Sequence, residues 1–255
     1  MSQNVLVVHG GGPTAVINAS LYGVIEEAKR NPEVGKVYGA IGGTGAIFSE
    51  TFIDLTSFDD EKLKLLLHTP ASAIGSSRYP LYEKDYEKMV DIFKKHDIKY
   101  VLLNGGNGTM DACGHIYEVC KDQDIKVVGI PKTIDNDIAM TDHSPGYGSA
   151  ARFIAASTQE VGEDVKSLPI HVCIMEAMGR NAGWITAASA LARRKQGDAP
   201  HLIYLPERNF NEDEFLEDVS KLQKKQGGVV VLVSEGLHDA NGESIVPPIF
   251  KSELK

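Results

Sequence analysis

An α/β fold built on parallel sheets is what this sequence predicts, and three observations predict it. Short runs of Val, Ile and Leu, such as "NVLVVH" (4–9), "KYVLLN" (99–104) and "GVVVLVSE" (228–235), recur without the alternation of a half-exposed strand. Strands buried on both faces read this way, because helices cover both sides of a parallel sheet. Longer segments of helical period separate the runs. Polar, glycine-rich stretches follow several of the runs, where ligands bind in doubly wound sheets.

Taken in order, "NVLVVH" is the first strand, and "TAVINASLYGVIEEAKR" (14–30) a helix with Val16, Ala19, Leu21, Val24 and Ala28 near one stripe. "KVYGAI" (36–41) is a strand, and "DDEKLKLLLH" (59–68) a helix with acids in its first turn, where the dipole favours them. "YEKDYEKMVDIFKKH" (82–96) is a helix, "KYVLLN" a strand, "TMDACGHIYEVCK" (109–121) a helix and "KVVGI" (126–130) a strand. After a polar, turn-rich stretch at 139–147 the alternation resumes. Helices are expected at 148–165, 181–195 and 211–226, and strands at 171–176, 201–206 and 228–235. The stretch at 139–147 sets an expected boundary between a first domain, 1–140, and a second, 141–255.

The formal net charge of −9 argues against a general nucleic-acid binder, which shows a basic face. It leaves room for anionic ligands held by local Arg and Lys. The cysteines Cys113, Cys120 and Cys173 are odd in number and match no zinc or disulfide spacing, so reduced thiols in a cytoplasmic protein are expected. The apolar part of the N-terminus is too short for a signal peptide, and no run approaches the ~20 apolar residues that span a bilayer; a membrane partner is not expected.

The loops carry the chemistry. In "HGGGPTAVINA" (9–19) and "NGGNGTM" (104–110), glycines let backbone approach a ligand and a helix N-terminus offers N–H groups to an anion. Each alone could equally be a tight turn; two together suggest a polyphosphate. Neither is GxGxxG. Thr109 is placed to cap the helix that follows. "GSSRYP" (75–80) offers Arg78, and "EAMGRNAG" (176–183) offers Met178, Gly179 and Arg180, the last suited to a second anionic group. "PKTIDND" (131–137) crowds Lys132, Thr133, Asp135, Asn136 and Asp137 onto one loop, as a solvated turn or as a site moving a proton beside a phosphate.

Together "GGGPTAVIN", "GSSR", "GGNGT", "PKTIDND" and "EAMGR" resemble the phosphofructokinases, in the family's order, from about residue 4 to about 236. The resemblance implies a fold of two Rossmann-like parallel-sheet domains, the first binding the phosphoryl donor and the second the sugar phosphate. It implies transfer of a phosphoryl group from ATP or pyrophosphate to the 1-hydroxyl of fructose 6-phosphate, giving fructose 1,6-bisphosphate in glycolysis, with Mg2+. Asp135 then stands as the base on the sugar hydroxyl and Asp137 near the magnesium. Thr133 touches the sugar or the moving phosphoryl, and Lys132 offsets donor charge. Gly11, Gly12, Gly106, Asn107, Gly108 and Thr109 line the donor phosphates, and Arg78 bridges the transferring group. Met178, Gly179 and Arg180 meet the sugar phosphate, Glu235 a sugar hydroxyl. The family is oligomeric, so a homodimer or homotetramer is expected, with a neighbouring subunit completing the sugar-phosphate site.

Four departures from the family pattern bear on function. Asn107 stands where the family carries an Asp that helps hold magnesium; it can ligate without charge, and Asp111 lies one turn on. Gly108 leaves space for a nucleotide, whereas pyrophosphate-dependent members carry Asp there; Lys132 and "PTAVINAS" point to pyrophosphate instead. The sequence reading takes ATP as donor and keeps pyrophosphate as the alternative. His171 occupies the place of a sugar-phosphate-binding Arg, or is a satisfied strand histidine. The C-terminal "GESIVPPIFKSELK" lacks the family's continuation, so the second domain is expected to be truncated and this chain's own activity is in doubt. Two other readings stand beside these: an NAD or lipid kinase, which shares a "GGDG" loop but does not predict "PKTIDND" before "MGR", and a non-catalytic homologue.

Overall fold

The computed structural model describes residues 3–245. The chain divides into two compact units, Met1–Thr133 and Ile134–Lys255. The division falls inside "TIDND", ahead of the 140/141 boundary expected from the polar stretch.

The first unit runs β1 (Gln3–His9), α1 (Ala15–Arg30), β2 (Val34–Ala40), α2 (Gly45–Phe48), β3 (Phe52–Asp54), α3 (Asp60–Lys64), α4 (Glu83–Lys95), β4 (Ile98–Gly105), α5 (Asn107–Cys120) and β5 (Lys126–Pro131). Its sheet has the order β3-β2-β1-β4-β5. All pairings are parallel except the edge pair β2–β3. The continuous apolar run of β1 is explained by its two faces. Val5 and Val7 pack with Leu21 and Ile25 of α1, while Leu6 and Val8 pack with Met89 and Phe93 of α4 and Ile116 of α5. The chain leaves β1 toward β2 on one side and later fills β4 and β5 on the other. The strand order therefore reverses at β1/β4, and the crevice opens at the carboxyl ends of these two strands.

The helix expected at 59–68 is shorter. Asp59 caps it through Lys62 N–H at 2.8 Å, and α geometry ends at Lys64, tightening to a 3₁₀ turn over Leu65–Leu67. Only Leu63 is buried in the α segment, so little packing holds a further α turn. The antiparallel β3 and the short α2 have no counterpart in the sequence reading.

The second unit contains α6 (Tyr147–Ser167), β6 (Val172–Ala177), α7 (Trp184–Ala188), β7 (Leu202–Tyr204), α8 (Glu212–Gln226) and β8 (Val229–Ser234). Its three described strands are parallel, in the order β6-β8-β7. Val230 and Leu232 of β8 form the core with Ala151, Ile154 and Val165 of α6 and Ile185 and Ala188 of α7. The α8 start is built from Asn211, whose side chain accepts from Glu214 N–H at 3.1 Å, followed by Glu212, Asp213 and Glu214 in the first turn. The helix expected at 181–195 is α only over α7 and then 3₁₀ over Ser189–Ala192. Ser189 Oγ there donates to Thr186 O at 2.6 Å, a local bond that competes with the helical ladder. Residues 246–255, on which the expected truncation bears, lie outside the described residues. Among the described residues, no helix is long and apolar enough to cross a membrane.

Candidate functional site

In the first unit the carboxyl ends of β1, β4 and β5 stand side by side, because those strands are hydrogen-bonded neighbours. The loops after them bring together Gly11, Gly12, Gly106, Asn107, Gly108, Thr109, Lys132 and Thr133. A cavity of about 380 Å³ opens there, lined by Gly11, Gly106, Asn107, Gly108 and Thr109 and also by Arg78 from the separate 69–82 loop. The glycines divide into two kinds. A Cβ on Gly10 or Gly105 would collide with Thr109 Oγ1, so these two exist for close packing of β1 and β4 over one threonine. A Cβ on Gly12 or Gly108 would meet nothing within 4 Å, so these face open space. Gly11 has φ +71, a conformation side chains resist.

The α5 helix starts at Asn107 with Gly106 as its N-cap. Thr109 is therefore not the cap expected from sequence; it sits inside the first turn, buried under Gly10 and Gly105. Thr109 N–H turns back to Gly106 O at 2.9 Å, and the N-terminal end of α5 stands at the cavity rim, where the helix dipole favours an anion.

Lys132 is buried, and its ammonium donates to the carbonyl of Gly12. This places a positive charge about 3.9 Å from the Cβ position of Gly11. Behind it lies His9, fully buried at the end of β1. Burial, with the Lys132 charge second, lowers the His9 pKa from 6.5 to about 4, so the imidazole is neutral at physiological pH. Ser72 Oγ gives its proton to Gly75 O at 2.7 Å, so in the 2.8 Å contact between His9 Nδ1 and Ser72 Oγ the ring is the donor. Nε2 then carries the lone pair, and it is buried without a hydrogen-bond partner among the described residues.

In the second unit the stretch after Thr133 turns sharply. Asn136 adopts φ 57, which Asn tolerates better than most residues. Its carboxamide is a brace: Oδ1 accepts from Ser144 N–H at 2.7 Å and Nδ2 donates to Asp142 O at 3.3 Å. Asp135 is half-buried and Asp137 exposed. The asparagine between the two acids, for which the sequence suggested no role, thus sets the turn that carries them.

Met178, Gly179, Arg180 and Glu235 come together at the carboxyl ends of β6 and β8, since Ala177 pairs with Ser234. Gly179 N–H donates to Glu235 Oε1 at 3.1 Å, and Ser234 Oγ donates to Gly179 O at 2.8 Å. Glycine is required at 179, with φ +116 and Ala182 O in the way of any Cβ. Gly183 N–H donates to Glu207 Oε1 at 2.7 Å, a second carboxylate holding this loop that sequence reading missed. His171 is elsewhere. It precedes β6 and so lies a strand length, roughly 20 Å, from Met178 and Arg180. It is exposed, with Nδ1 3.1 Å from Leu168 O. A larger cavity of about 550 Å³, lined by Lys166, Arg194, Lys195 and His201 among others, includes none of the predicted site residues. Among the described residues, no three His, Cys, Asp or Glu side chains gather as a metal site.

Comparison with known proteins bears on all of this. A pyrophosphate–fructose 6-phosphate 1-phosphotransferase of Rhodospirillum rubrum is 44% identical over 95% of this chain and 60% of its own length. A crystal structure of a pyrophosphate-dependent phosphofructokinase from Nitrosospira multiformis superposes with a TM-score of 0.88 at 38% identity, over 95% of this chain and 63% of that one. An ATP-dependent 6-phosphofructokinase of Amycolatopsis methanolica is 30% identical over 92% of this chain and 52% of its own length. The chain thus spans about 60% of the length of the relative most like it among these three. A family model described as phosphofructokinase matches residues 4–254, nearly the whole sequence, and with motifs and fold in agreement the chain belongs to the phosphofructokinase family.

Proposed function

We propose that this chain carries the phosphoryl-transfer site of a pyrophosphate-dependent phosphofructokinase, acting between pyrophosphate and the 1-hydroxyl of fructose 6-phosphate. The observation that carries the donor assignment is Lys132. Its buried ammonium sits at the Gly11–Gly12 backbone beside the cavity. A fixed positive charge there offsets a compact diphosphate directly, without a nucleoside to add binding surface. The stronger identity to the relative named for pyrophosphate, 44% against 30% for the one named for ATP, supports the same reading. The ATP expectation is set second on these grounds.

In this reading the glycine backbone and the α5 N-terminus hold the donor phosphates, Lys132 and Arg78 neutralise charge on the transferring group, and Thr133 positions it. Asp135 takes the proton from the sugar hydroxyl as the new bond forms, and Met178, Gly179, Arg180 and Glu235 hold the sugar phosphate. Such a reaction depends on placement and charge compensation. Asn107 and Asp137 would be the protein contacts of a magnesium ion. Such an ion would supply charge neutralisation of the donor. A cytoplasmic homo-oligomer, in which a neighbouring subunit completes the sugar-phosphate site, completes the reading.

Gly108 favours the second reading, ATP: the position is open and nothing within 4 Å would crowd a larger donor. A coupled assay of the full-length protein with fructose 6-phosphate, magnesium and either donor decides. Higher kcat/KM with pyrophosphate is expected. The reverse order moves the assignment to ATP, and turnover with neither sinks the enzyme reading.

A further inference from the structure

The segment from His68 to Tyr82 contains neither helix nor strand beyond one isolated bridge at Ser77, yet it delivers Arg78 to the cavity. Arg78 is exposed and makes no ion pair among the described residues. Its guanidinium is therefore placed by its backbone, and its backbone by whatever satisfies the polar groups of an irregular loop.

Those partners are specific. Asn18, fully buried in α1, donates from Nδ2 to Thr69 O at 2.9 Å and accepts at Oδ1 from Ala73 N–H at 2.8 Å. One carboxamide thus reads both a carbonyl and an N–H of the loop, as a strand neighbour would. His9 Nδ1 donates to Ser72 Oγ, which passes its own proton to Gly75 O. Gly42 N–H donates to Ile74 O at 2.8 Å. Nearer Arg78, Ser76 Oγ donates to Gly11 O at 2.6 Å and Gly11 N–H donates to Ser77 O at 3.2 Å. The loop is therefore registered against the glycine backbone at one end and against the buried Asn18 and His9 at the other.

We propose that Asn18 and His9 are positioning residues for Arg78, fixing the 69–78 loop so that the guanidinium meets the donor at the glycine-lined cavity. Neither touches the cavity in the way Arg78 does; they act through the loop. An Arg bridging a transferring phosphoryl group loses its effect when displaced, and a misplacement of about 1 Å can cost roughly a hundredfold. The neutral imidazole suits the task, since a ring held as the Nδ1–H tautomer donates to Ser72 without adding charge beside Lys132.

This inference rests on the proposed phosphoryl transfer, and its test separates the two. Asn18→Ala leaves Thr69 O and Ala73 N–H unpaired and could impair folding, so half-buried Ser72 is the cleaner site. Ser72→Ala cuts the His9 link; Ser72→Thr keeps the hydroxyl. In the full-length protein with pyrophosphate, Ser72→Ala should lower kcat roughly tenfold or more, leaving the KM for pyrophosphate nearly unchanged, and Ser72→Thr should recover most of the loss. In an Arg78→Ala background the Ser72→Ala change should cost little more, because the group it positions is gone. An equal cost in both backgrounds, or full kcat in Ser72→Ala, overturns the proposal while leaving the enzyme reading intact. If the unmodified protein turns over with neither donor, the enzyme reading fails, and amide exchange decides the clamp: faster exchange across 73–78 in Ser72→Ala, with the sheet amides unchanged, supports it, and unchanged exchange overturns it.

Discussion

The two units put different chemistry at the carboxyl ends of their strands. In the first, β1, β4 and β5 end in glycines, a helix N-terminus and the buried Lys132. In the second, the loop after β6 is held by the carboxylates of Glu235 and Glu207, and Arg180 within it is exposed. The first arrangement suits a polyphosphate, whose many oxygens want N–H groups and cations and no side chain in the way. The second suits a ligand carrying one anionic group and several hydroxyls. The packing differs in parallel. Val5 to Val8 of β1 are buried in turn against helices on both faces, whereas Val172 and Ile174 of β6 are 39% and 55% exposed and α8 buries no residue.

The largest test of this division is Asp135→Asn. If proton transfer belongs to the second unit and donor binding to the first, the change should lower kcat by 10²–10⁴-fold, the usual worth of a general base. Pyrophosphate affinity, read by calorimetry, should be little altered. A matching loss of donor affinity would show that the two tasks are not separable by unit.

Next comes a pH effect confined to the first unit. His9 has a pKa of about 4 in the fold against 6.5 ordinarily. Between these values the unfolded chain binds a proton that the folded chain does not, so folding stability is complete above about 6.5 and declines as pH falls toward 4. The decline attributable to His9 is about 3 kcal/mol. In His9→Asn, whose Nδ2 can still reach toward Ser72, that share should vanish from a denaturation series across pH 4–7. Parallel profiles for the two proteins would mean the imidazole is not held neutral by burial.

Much of this was legible beforehand. Every strand but β3 and most helices follow from Val- and Ile-rich runs and helical period, and the cavity loops from glycines after strands. What the sequence hid was hidden for physical reasons. Phe52–Asp54 is too short to show a period, so the antiparallel edge was missed. Asn18 and His9 sit inside a helix and at the end of a strand, where their partners are 51 to 63 residues away and leave no local trace. "HGGGPT" and "NGGNGT" look uniform as text, yet Gly10 and Gly105 serve packing while Gly12 and Gly108 face open space.

That glycine distinction gives a smaller test. Gly105→Ala drives a methyl into Thr109 and should destabilise the first unit by roughly 1–3 kcal/mol, the usual cost of overpacking. Gly108→Ala sits in the first turn of α5 with free space around it, and should leave stability unchanged or raise it by up to about 1 kcal/mol. Donor affinity should respond in the opposite sense, falling more for Gly108→Ala than for Gly105→Ala. Equal destabilisation by both would erase the division into packing and ligand-facing glycines.

The smallest expected effect sharpens the contrast in packing. Val231 of β8 is fully buried, and Val→Ala there removes two methyl groups from a filled core, at a cost of about 2 kcal/mol. Ile174 lies directly opposite it on the neighbouring strand, and Ile174→Ala should cost less than about 0.5 kcal/mol, because most of its side chain already faces solvent. Chemical denaturation of the two variants measures the ratio. If Ile174→Ala costs as much as Val231→Ala, that face of β6 is covered in the protein in solution, and the thin packing of the second unit belongs to the described residues alone.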